Sequence, residues 1–234
     1  MLREKLKVRI SRAGYKQGFT IENIYFNLND QNIVLITGPS ASGKSTLLKS
    51  INGLIKIIGG FIEGEVFLND ENILGKPVNY TAMMIPYMPQ DPWHGVIGYT
   101  VSSEYCHALS INGYLCNPSR LLEYGFTNPS QQVTYGLSAG LYQRLLWAEI
   151  LDSNPPVVLM DEPYTYLDQE SRISFKKFID KYLDSNGSII VVDHIVENWV
   201  EYEPYTIILN NGRVIYQGGY NPVVQPSRSE MERG

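Results

Sequence analysis

The residues best suited to bind a phosphate group lie between positions 38 and 46. Their sequence is Gly-Pro-Ser-Ala-Ser-Gly-Lys-Ser-Thr, which contains the pattern G-x-x-x-x-G-K-[ST] of a phosphate-binding loop. The two glycines let successive backbone N–H groups point inward at one anion. Lys44 is predicted to reach the β- and γ-phosphates, and the Ser45 hydroxyl to bind Mg²⁺. We expect the whole segment to hold nucleotide phosphate: Gly38, Pro39, Ser40, Ala41, Ser42, Gly43, Lys44, Ser45 and Thr46.

The flanking residues predict the strand and the helix that such a loop requires. The apolar run at 33–36 indicates a buried strand before the loop, and residues 47–51 indicate the first turns of a helix after it. A helix that begins near Lys44 directs the positive end of its dipole at the same anion. In this context, a glycine-rich turn without a ligand is the weaker alternative.

Two adjacent carboxylates, Asp161 and Glu162, follow a second apolar run at 157–160. The carboxyl ends of parallel strands are where open α/β sheets bind ligands. Asp161 is therefore predicted to hold Mg²⁺, directly or through water, and Glu162 to accept a proton from an attacking water. The alternative is a solvated acidic turn, which the phosphate-binding loop in the same chain disfavours.

Ser138 opens a predicted helix whose apolar residues recur from 141 to 151. Serine is a favourable helix cap, and the N–H groups of the first helical turn have no partner within the helix. Taken alone, this segment is a Ser-capped helix. Because it lies between the phosphate-binding loop and the Asp161–Glu162 pair, we favour an anion-binding role for Ser138, Ala139 and Gly140.

At this point the chain resembles the ATP-binding-cassette ATPases, over about residues 5–220. Residues 137–141, Leu-Ser-Ala-Gly-Leu, resemble the family's Leu-Ser-Gly-Gly-Gln signature, with alanine for one glycine and leucine for glutamine. His194 resembles the switch histidine, although Ile195 follows it in place of the common aspartate. The other motif residues that resemble the family's, in chain order, are Tyr15 (adenine stacking, a weaker match), Gln90 (glutamine loop), Asp161, Glu162 and 166–168 (the loop used across the dimer interface).

The resemblance implies a head-to-tail dimer with two ATP molecules in its interface. Each ATP would contact one subunit's phosphate-binding loop and the Ser138–Gly140 segment of the other subunit. Within one site, Lys44 would stabilise phosphate charge and Glu162 would polarise the water. His194 and Gln90 would sense the γ-phosphate, and Ser45, Gln90 and Asp161 would hold Mg²⁺.

Strands that alternate with helices predict an α/β fold with a mainly parallel central sheet. The resemblance implies a P-loop NTPase of the ABC ATPase fold, with an N-terminal antiparallel β subdomain and an inserted helical subdomain. We expect one ATPase domain over residues 1–225, with the helical subdomain at about 99–152 and a flexible tail at 226–234.

Composition limits the partners of this 234-residue chain. Its formal net charge of −5 argues against a nucleic-acid partner, which normally requires a basic face. No apolar run approaches the ~18 residues that span a bilayer, so membrane partners would be separate chains. The spacing of Cys106 and Cys116 suits neither a zinc site nor a disulfide framework, so we expect reduced thiols in the cytosol.

The function that the resemblance implies is the ATPase subunit of a membrane transporter. It would lie in the cytoplasm, on the inner face of the membrane, and bind a second ATPase subunit, identical or paralogous, and transmembrane subunits. Residues 90–97 would form the docking segment, in which Trp93, Val96 and Ile97 either contact a partner or belong to the domain's own core. Among such ATPases, the chain most resembles those of energy-coupling-factor importers. A soluble cassette ATPase acting on nucleic acid or ribosomes is the alternative, and a small-molecule kinase gives the Ser138 segment no role.

Overall fold

The computed structural model describes residues 5–16, 18–28, 32–93, 95–111 and 113–220. The predicted tail at 226–234 lies outside the described residues, as does position 94 of the predicted docking segment. The chain divides into two compact units. The first comprises Met1–Tyr87, Pro156–Glu162 and Ser188–Gly234, and the second comprises Met88–Pro155 and Pro163–Gly187.

The strands and α-helices follow one another in an order typical of an α/β protein. In chain order they are β1 (Leu6–Tyr15), β2 (Thr20–Leu28), β3 (Ile33–Thr37), α1 (Lys44–Ile51), α2 (Leu54–Ile57), β4 (Gly60–Leu68), β5 (Glu71–Asn72), α3 (Val78–Met84), β6 (Tyr87–Met88), α4 (Val101–Ile111), α5 (Ala139–Ser153), β7 (Val157–Asp161), α6 (Gln169–Asp184), β8 (Ser188–Val192), β9 (Tyr205–Asn210) and β10 (Arg213–Gly219). Short 3₁₀ turns occur in the connections, among them Val196–Asn198.

Two sheets build the first unit. One has the strand order β2-β1-β4-β5 and is antiparallel. The other has the order β10-β9-β3-β8-β7-β6, in which β3 runs parallel to both β8 and β9, and β7 parallel to β8. The predicted α/β fold, with a mainly parallel sheet and an antiparallel N-terminal sheet, is confirmed.

The sequence patterns of these strands match their burial. Every residue of β3, β7 and β8 is buried, as expected of central parallel strands that are covered on both faces. In β2, by contrast, buried and more exposed residues alternate. β9 and β10 pair in antiparallel orientation as a hairpin, and the Asn-Gly sequence at 211–212 forms part of its turn, as is typical of tight hairpins.

Helices dominate the second unit. Asp168 caps α6 by accepting a hydrogen bond from the Ser171 N–H at 2.8 Å. A cluster of buried apolar residues joins α4 to α5 and includes Val101, Tyr105, Leu109 and Leu145. None of the helices in the described part of the chain is long and apolar enough to cross a membrane.

The expectation of reduced cysteines is wrong, because Cys106 and Cys116 form a disulfide bond. Cys106 lies in α4. After α4 the chain turns back, which brings the two Cα atoms within 5.1 Å of each other, inside the usual range for a disulfide. Sequence spacing alone could not reveal this reversal of chain direction.

A substitution at Gly38, which directly follows β3, tests how tightly the loop is held. Its φ of 140° disfavours other residues, and a Cβ there would collide with the carbonyl oxygen of Leu209. We expect Gly38→Ala to lower the free energy of unfolding by more than about 2 kcal/mol in urea titrations. Gly75→Ala, where a Cβ meets open space, is the control and should change it by less than about 0.5 kcal/mol. Equal effects of the two variants would contradict this account.

Candidate active site

The loop between β3 and α1 is held in a conformation that directs its backbone inward. Gly38 and Gly43 have φ angles of 140° and 104°, and Ala41 has a φ of 61°. The Gly212 N–H donates to the Ser42 carbonyl at 3.0 Å and ties the loop to the β9–β10 turn. A loop curled in this way presents successive N–H groups to one point, which is the requirement for binding a phosphate.

Lys44 begins α1, and its side chain folds back over the loop. Its ammonium Nζ donates to the carbonyl oxygens of Gly38 at 2.9 Å and Pro39 at 2.7 Å. Burial lowers the pKa of Lys44, while the carboxylates of Glu162 and Asp161 oppose that shift. The Lys44 ammonium group therefore lies at the centre of the loop, where a phosphate oxygen can replace one of its two carbonyl partners.

Asp161 ends β7 with only 5% of its surface exposed. The hydroxyl of Tyr87 donates to its Oδ2 at 2.8 Å. Burial, and then the Asp161 carboxylate, raise the pKa of Tyr87, so its hydroxyl keeps its proton and remains a donor. Tyr87 thereby fixes the orientation of a carboxylate whose other oxygen can bind a cation. No sequence motif marks Tyr87, because only the tertiary structure brings it to β7.

Glu162, the next residue, combines backbone strain with a close charged neighbour. Its φ is 47°, in the left-handed region that non-glycine residues seldom occupy. Its N–H donates to the Val192 carbonyl at 2.8 Å, which holds the strained turn. The Glu162 Oε1 lies 3.0 Å from the Nε2 of His194, so the predicted base and the predicted sensor are in contact.

A cavity of about 410 Å³ joins these groups within the first unit. Its lining comprises Phe19, residues 40–46, Glu162 and His194. The structure thus brings most of the phosphate-binding loop together with Glu162, directly after β7, and His194, two residues after β8. A cavity with a cationic loop at one side and a Glu–His pair at the other is suited to hydrolysing a bound phosphoanhydride.

Phe19 is an aromatic residue of the cavity lining that no sequence motif marks. It is 37% exposed, and its ring lies so close to Gly43 that a Cβ at that glycine would collide with it. Tyr15, the sequence-based candidate for adenine stacking, ends β1, and its N–H donates to the Phe19 carbonyl at 3.2 Å. The two aromatic residues thus flank one tight turn, and the role of Tyr15 stays a prediction.

The remaining predicted residues belong to the second unit. Ser138 is exposed and caps α5, its Oγ accepting a hydrogen bond from the Leu141 N–H at 3.3 Å. A serine hydroxyl that accepts one bond can still donate its own proton to an anion. Gly140 packs on Ser171, since a Cβ there would lie 2.8 Å from the Ser171 Oγ. Ala139 is the first residue of α5, and Gln90 follows β6 in the same unit.

The donor chemistry of the predicted metal ligands suits Mg²⁺. Ser45, Asp161 and Gln90 offer hydroxyl, carboxylate and amide oxygens, which are the hard ligands that this cation prefers. Within the described ranges, no cluster of three or more His, Cys, Asp and Glu side chains can hold a metal ion. Mg²⁺ usually completes such a set with water and substrate phosphate oxygens.

Comparison with known proteins gives one family match that covers more than half of the chain. The model of the family described as ABC transporter matches residues 21–165. That range contains the phosphate-binding loop, the Ser138 segment and both carboxylates at the end of β7, Asp161 and Glu162.

Curated relatives are similar over most of the chain. A putative ABC transporter ATP-binding protein of Saccharolobus solfataricus is 26% identical over 197 residues, 80% of this chain but only 37% of that relative. The energy-coupling factor transporter ATP-binding protein EcfA1 of Mycoplasma pneumoniae is 28% identical, covering 91% of this chain and 78% of its own. The phosphate import ATP-binding protein PstB of Aeropyrum pernix is also 28% identical, covering 91% and 89%.

Solved structures show the same fold. An ATP-binding subunit of an ABC transporter superimposes with a TM-score of 0.80 at 22% identity, covering 97% of this chain and 98% of its own. A dimeric ATP-binding cassette in a post-hydrolysis state, bound to ADP and Pi, has a TM-score of 0.75 at 22% identity, covering 92% and 99%. The predicted ABC ATPase fold is therefore confirmed.

Phe19 and Tyr15 can be distinguished by nucleotide binding. We expect Phe19→Ala to weaken binding of a fluorescent ATP analogue about fivefold to tenfold, because an aromatic stacking contact contributes about 1 kcal/mol. Phe19→Tyr keeps the ring and should bind nearly as well as the wild type. Tyr15→Ala is measured in parallel. A loss confined to Tyr15→Ala would assign the stacking role to Tyr15 instead.

Proposed function

The chain belongs to the ABC transporter family and carries its ATPase domain, and from that premise we propose that it binds and hydrolyses ATP to power a membrane transporter. The observation that carries the proposal is the 3.0 Å contact between Glu162 and His194 beside the phosphate-binding loop. A general base beside a bound γ-phosphate can activate a water for attack on it, which is the step that ATP hydrolysis requires.

In the proposed reaction, each residue has a separate task. The loop N–H groups and Lys44 bind the β- and γ-phosphates and stabilise the charge that develops in the transition state. Glu162 orients the attacking water and accepts its proton, and His194 contacts both Glu162 and the γ-phosphate. Ser45, Asp161 and Gln90 would hold Mg²⁺, which when bound neutralises phosphate charge.

We propose that the working form is a head-to-tail dimer that encloses two ATP molecules. The Ser138 hydroxyl and the first N–H groups of α5 would contact the γ-phosphate held by the partner subunit. The exposed position of Ser138 at a helix N-terminus supports this role. On this proposal, residues 1–225 act as one ATPase domain whose helical subdomain, at about 99–152, supplies the second half of each composite site.

We propose that the transporter is an importer, with this chain at the inner face of the membrane, held there by transmembrane partner subunits. The similarity to EcfA1 and to PstB, whose names describe an energy-coupling factor transporter and a phosphate importer, supports this choice. The transported substrate would bind to the partner subunits, so its identity is not encoded in the cavity described above.

The docking surface for those partners is formed by exposed apolar residues of the second unit. Trp93, one of the predicted docking residues, stacks on Tyr142, with 5.1 Å between the two ring centroids. Val96 packs against the buried apolar cluster that joins α4 to α5. Ile97 differs, since 67% of its surface is exposed. Tyr99 and Tyr135 are also exposed, by 70% and 64%. Their two segments are joined by a hydrogen bond of 3.0 Å, which the Thr134 N–H donates to the Tyr99 carbonyl. Ile97, Tyr99 and Tyr135 form what we call the docking patch.

Glu162→Gln tests the catalytic part of the proposal. We expect turnover to fall by more than about 100-fold, because the amide cannot accept the proton, while ATP binding is retained. Size-exclusion chromatography should then show an ATP-dependent dimer. Glu197→Gln, which alters an exposed carboxylate of the same unit, is the control and should turn over normally. Unchanged turnover by Glu162→Gln would remove its assignment as the base.

Ile97→Asp tests the docking patch in the cell that naturally contains this chain. We expect the membrane-bound fraction of the tagged chain to fall several-fold, because a charge replaces an apolar contact at the interface. Ile173→Asp is the matched control, since Ile173 is 57% exposed on α6, outside the patch. Equal membrane-bound fractions for the two variants would exclude the patch as the docking surface.

A further inference from the structure

His194 lies in a connection that regular secondary structure does not hold. It comes two residues after β8 ends at Val192, and 34% of its side chain is exposed. Its ring must nevertheless stay within reach of Glu162, because a displacement of about 1 Å at a catalytic group can reduce rates greatly. The interactions that fix this connection are therefore important for the chemistry.

The side chain of Asp193 reaches past His194 and binds residues that follow it in the chain. Only 4% of Asp193 is exposed. Its Oδ1 accepts a hydrogen bond from the Ile195 N–H at 2.8 Å, closing a local turn around His194. Its Oδ2 accepts a second bond, also 2.8 Å long, from the indole Nε1–H of Trp199. Both oxygens of one carboxylate thus have donors on the far side of the histidine.

Trp199 gives this turn a rigid support. The residue is fully buried, and its backbone N–H donates to the Val196 carbonyl at 2.9 Å. A large side chain packed in this way has little freedom, so its indole N–H has a fixed position. The carboxylate that binds it is fixed in turn.

The backbone bonds of the same region connect the turn to the rest of the site. The Asp193 N–H donates to the Ile36 carbonyl of β3 at 3.2 Å, next to the phosphate-binding loop. The Glu162 N–H donates to Val192, directly before Asp193. Burial raises the pKa of Asp193, while the N–H groups of Trp199 and Ile195 oppose the shift because they favour the ionised form.

We propose that Asp193 and Trp199 are positioning residues for hydrolysis, a carboxylate–indole clamp that holds the His194 ring against Glu162. This inference rests on the proposed role of His194 in ATP hydrolysis. In this chain the carboxylate precedes the histidine, and Ile195 occupies the position where the family commonly has aspartate.

A double-mutant cycle on the purified full-length chain tests the clamp. We expect Asp193→Ala to lower kcat about tenfold and to change the KM for ATP less than about twofold, because the clamp acts on the catalytic geometry and not on the loop. In a His194→Ala background, the same substitution should change kcat by less than about twofold, since the residue it positions is already absent. A tenfold loss in that background would overturn the proposal.

Trp199→Phe provides a second, milder variant in case Asp193→Ala folds poorly. It keeps the buried ring and removes only the N–H donor, so we expect a loss in kcat of about threefold to fivefold, again absent in the His194→Ala background. Trp147→Phe is the matched control, because this buried indole N–H has no hydrogen-bond acceptor among the described residues. Equal kcat for Trp199→Phe and wild type would overturn the clamp.

Two different failures are distinguishable in the same measurements. If His194→Ala turns over like the wild type, the proposed role of His194 is wrong, and the clamp has no catalytic purpose. If His194→Ala is slow while both clamp variants remain fast, His194 acts without the clamp. The Glu162→Gln measurement is independent of both outcomes.

Discussion

Parallel pairing of three fully buried strands is the constraint on which the active site depends. β3 pairs with β8, and β8 with β7, all running in the same direction. The carboxyl ends of parallel strands share one edge of a sheet, so the segments that follow these strands must meet there. Those segments carry Lys44, Glu162 and His194, which are distant in the sequence and together line one cavity.

The backbone at this edge is held under strain, and the surrounding hydrogen bonds maintain it. Ala41 and Glu162 have φ angles of 61° and 47°, conformations that cost of order 1–3 kcal/mol each. The bonds from Gly212 to Ser42 and from Glu162 to Val192 keep both residues in place. A site prepared in this way needs little rearrangement when charge develops on the phosphate, which is how preorganised enzymes stabilise a transition state.

Side chains outside the motifs complete the arrangement. Tyr87 orients Asp161, Phe19 packs on the glycine before Lys44, and Asp193 with Trp199 encloses the connection that carries His194. Each of these contacts joins residues from separate segments or across a turn. The motif residues are those to which we assign the chemistry, and the contacts of their neighbours hold them in this geometry.

The sequence by itself determined the parts of this protein that depend on local pattern. The glycine and lysine spacing predicted the phosphate-binding loop, and the apolar runs at 33–36 and 157–160 predicted β3 and β7. These features could be predicted because backbone conformation and hydrophobic period are properties of short segments. The tertiary structure alone decided that Phe19 lines the cavity, that Tyr87 contacts Asp161, that Cys106 bonds to Cys116 and that Trp199 supports Asp193. These pairings depend on where the folded chain brings separate segments together, and no local pattern records that information.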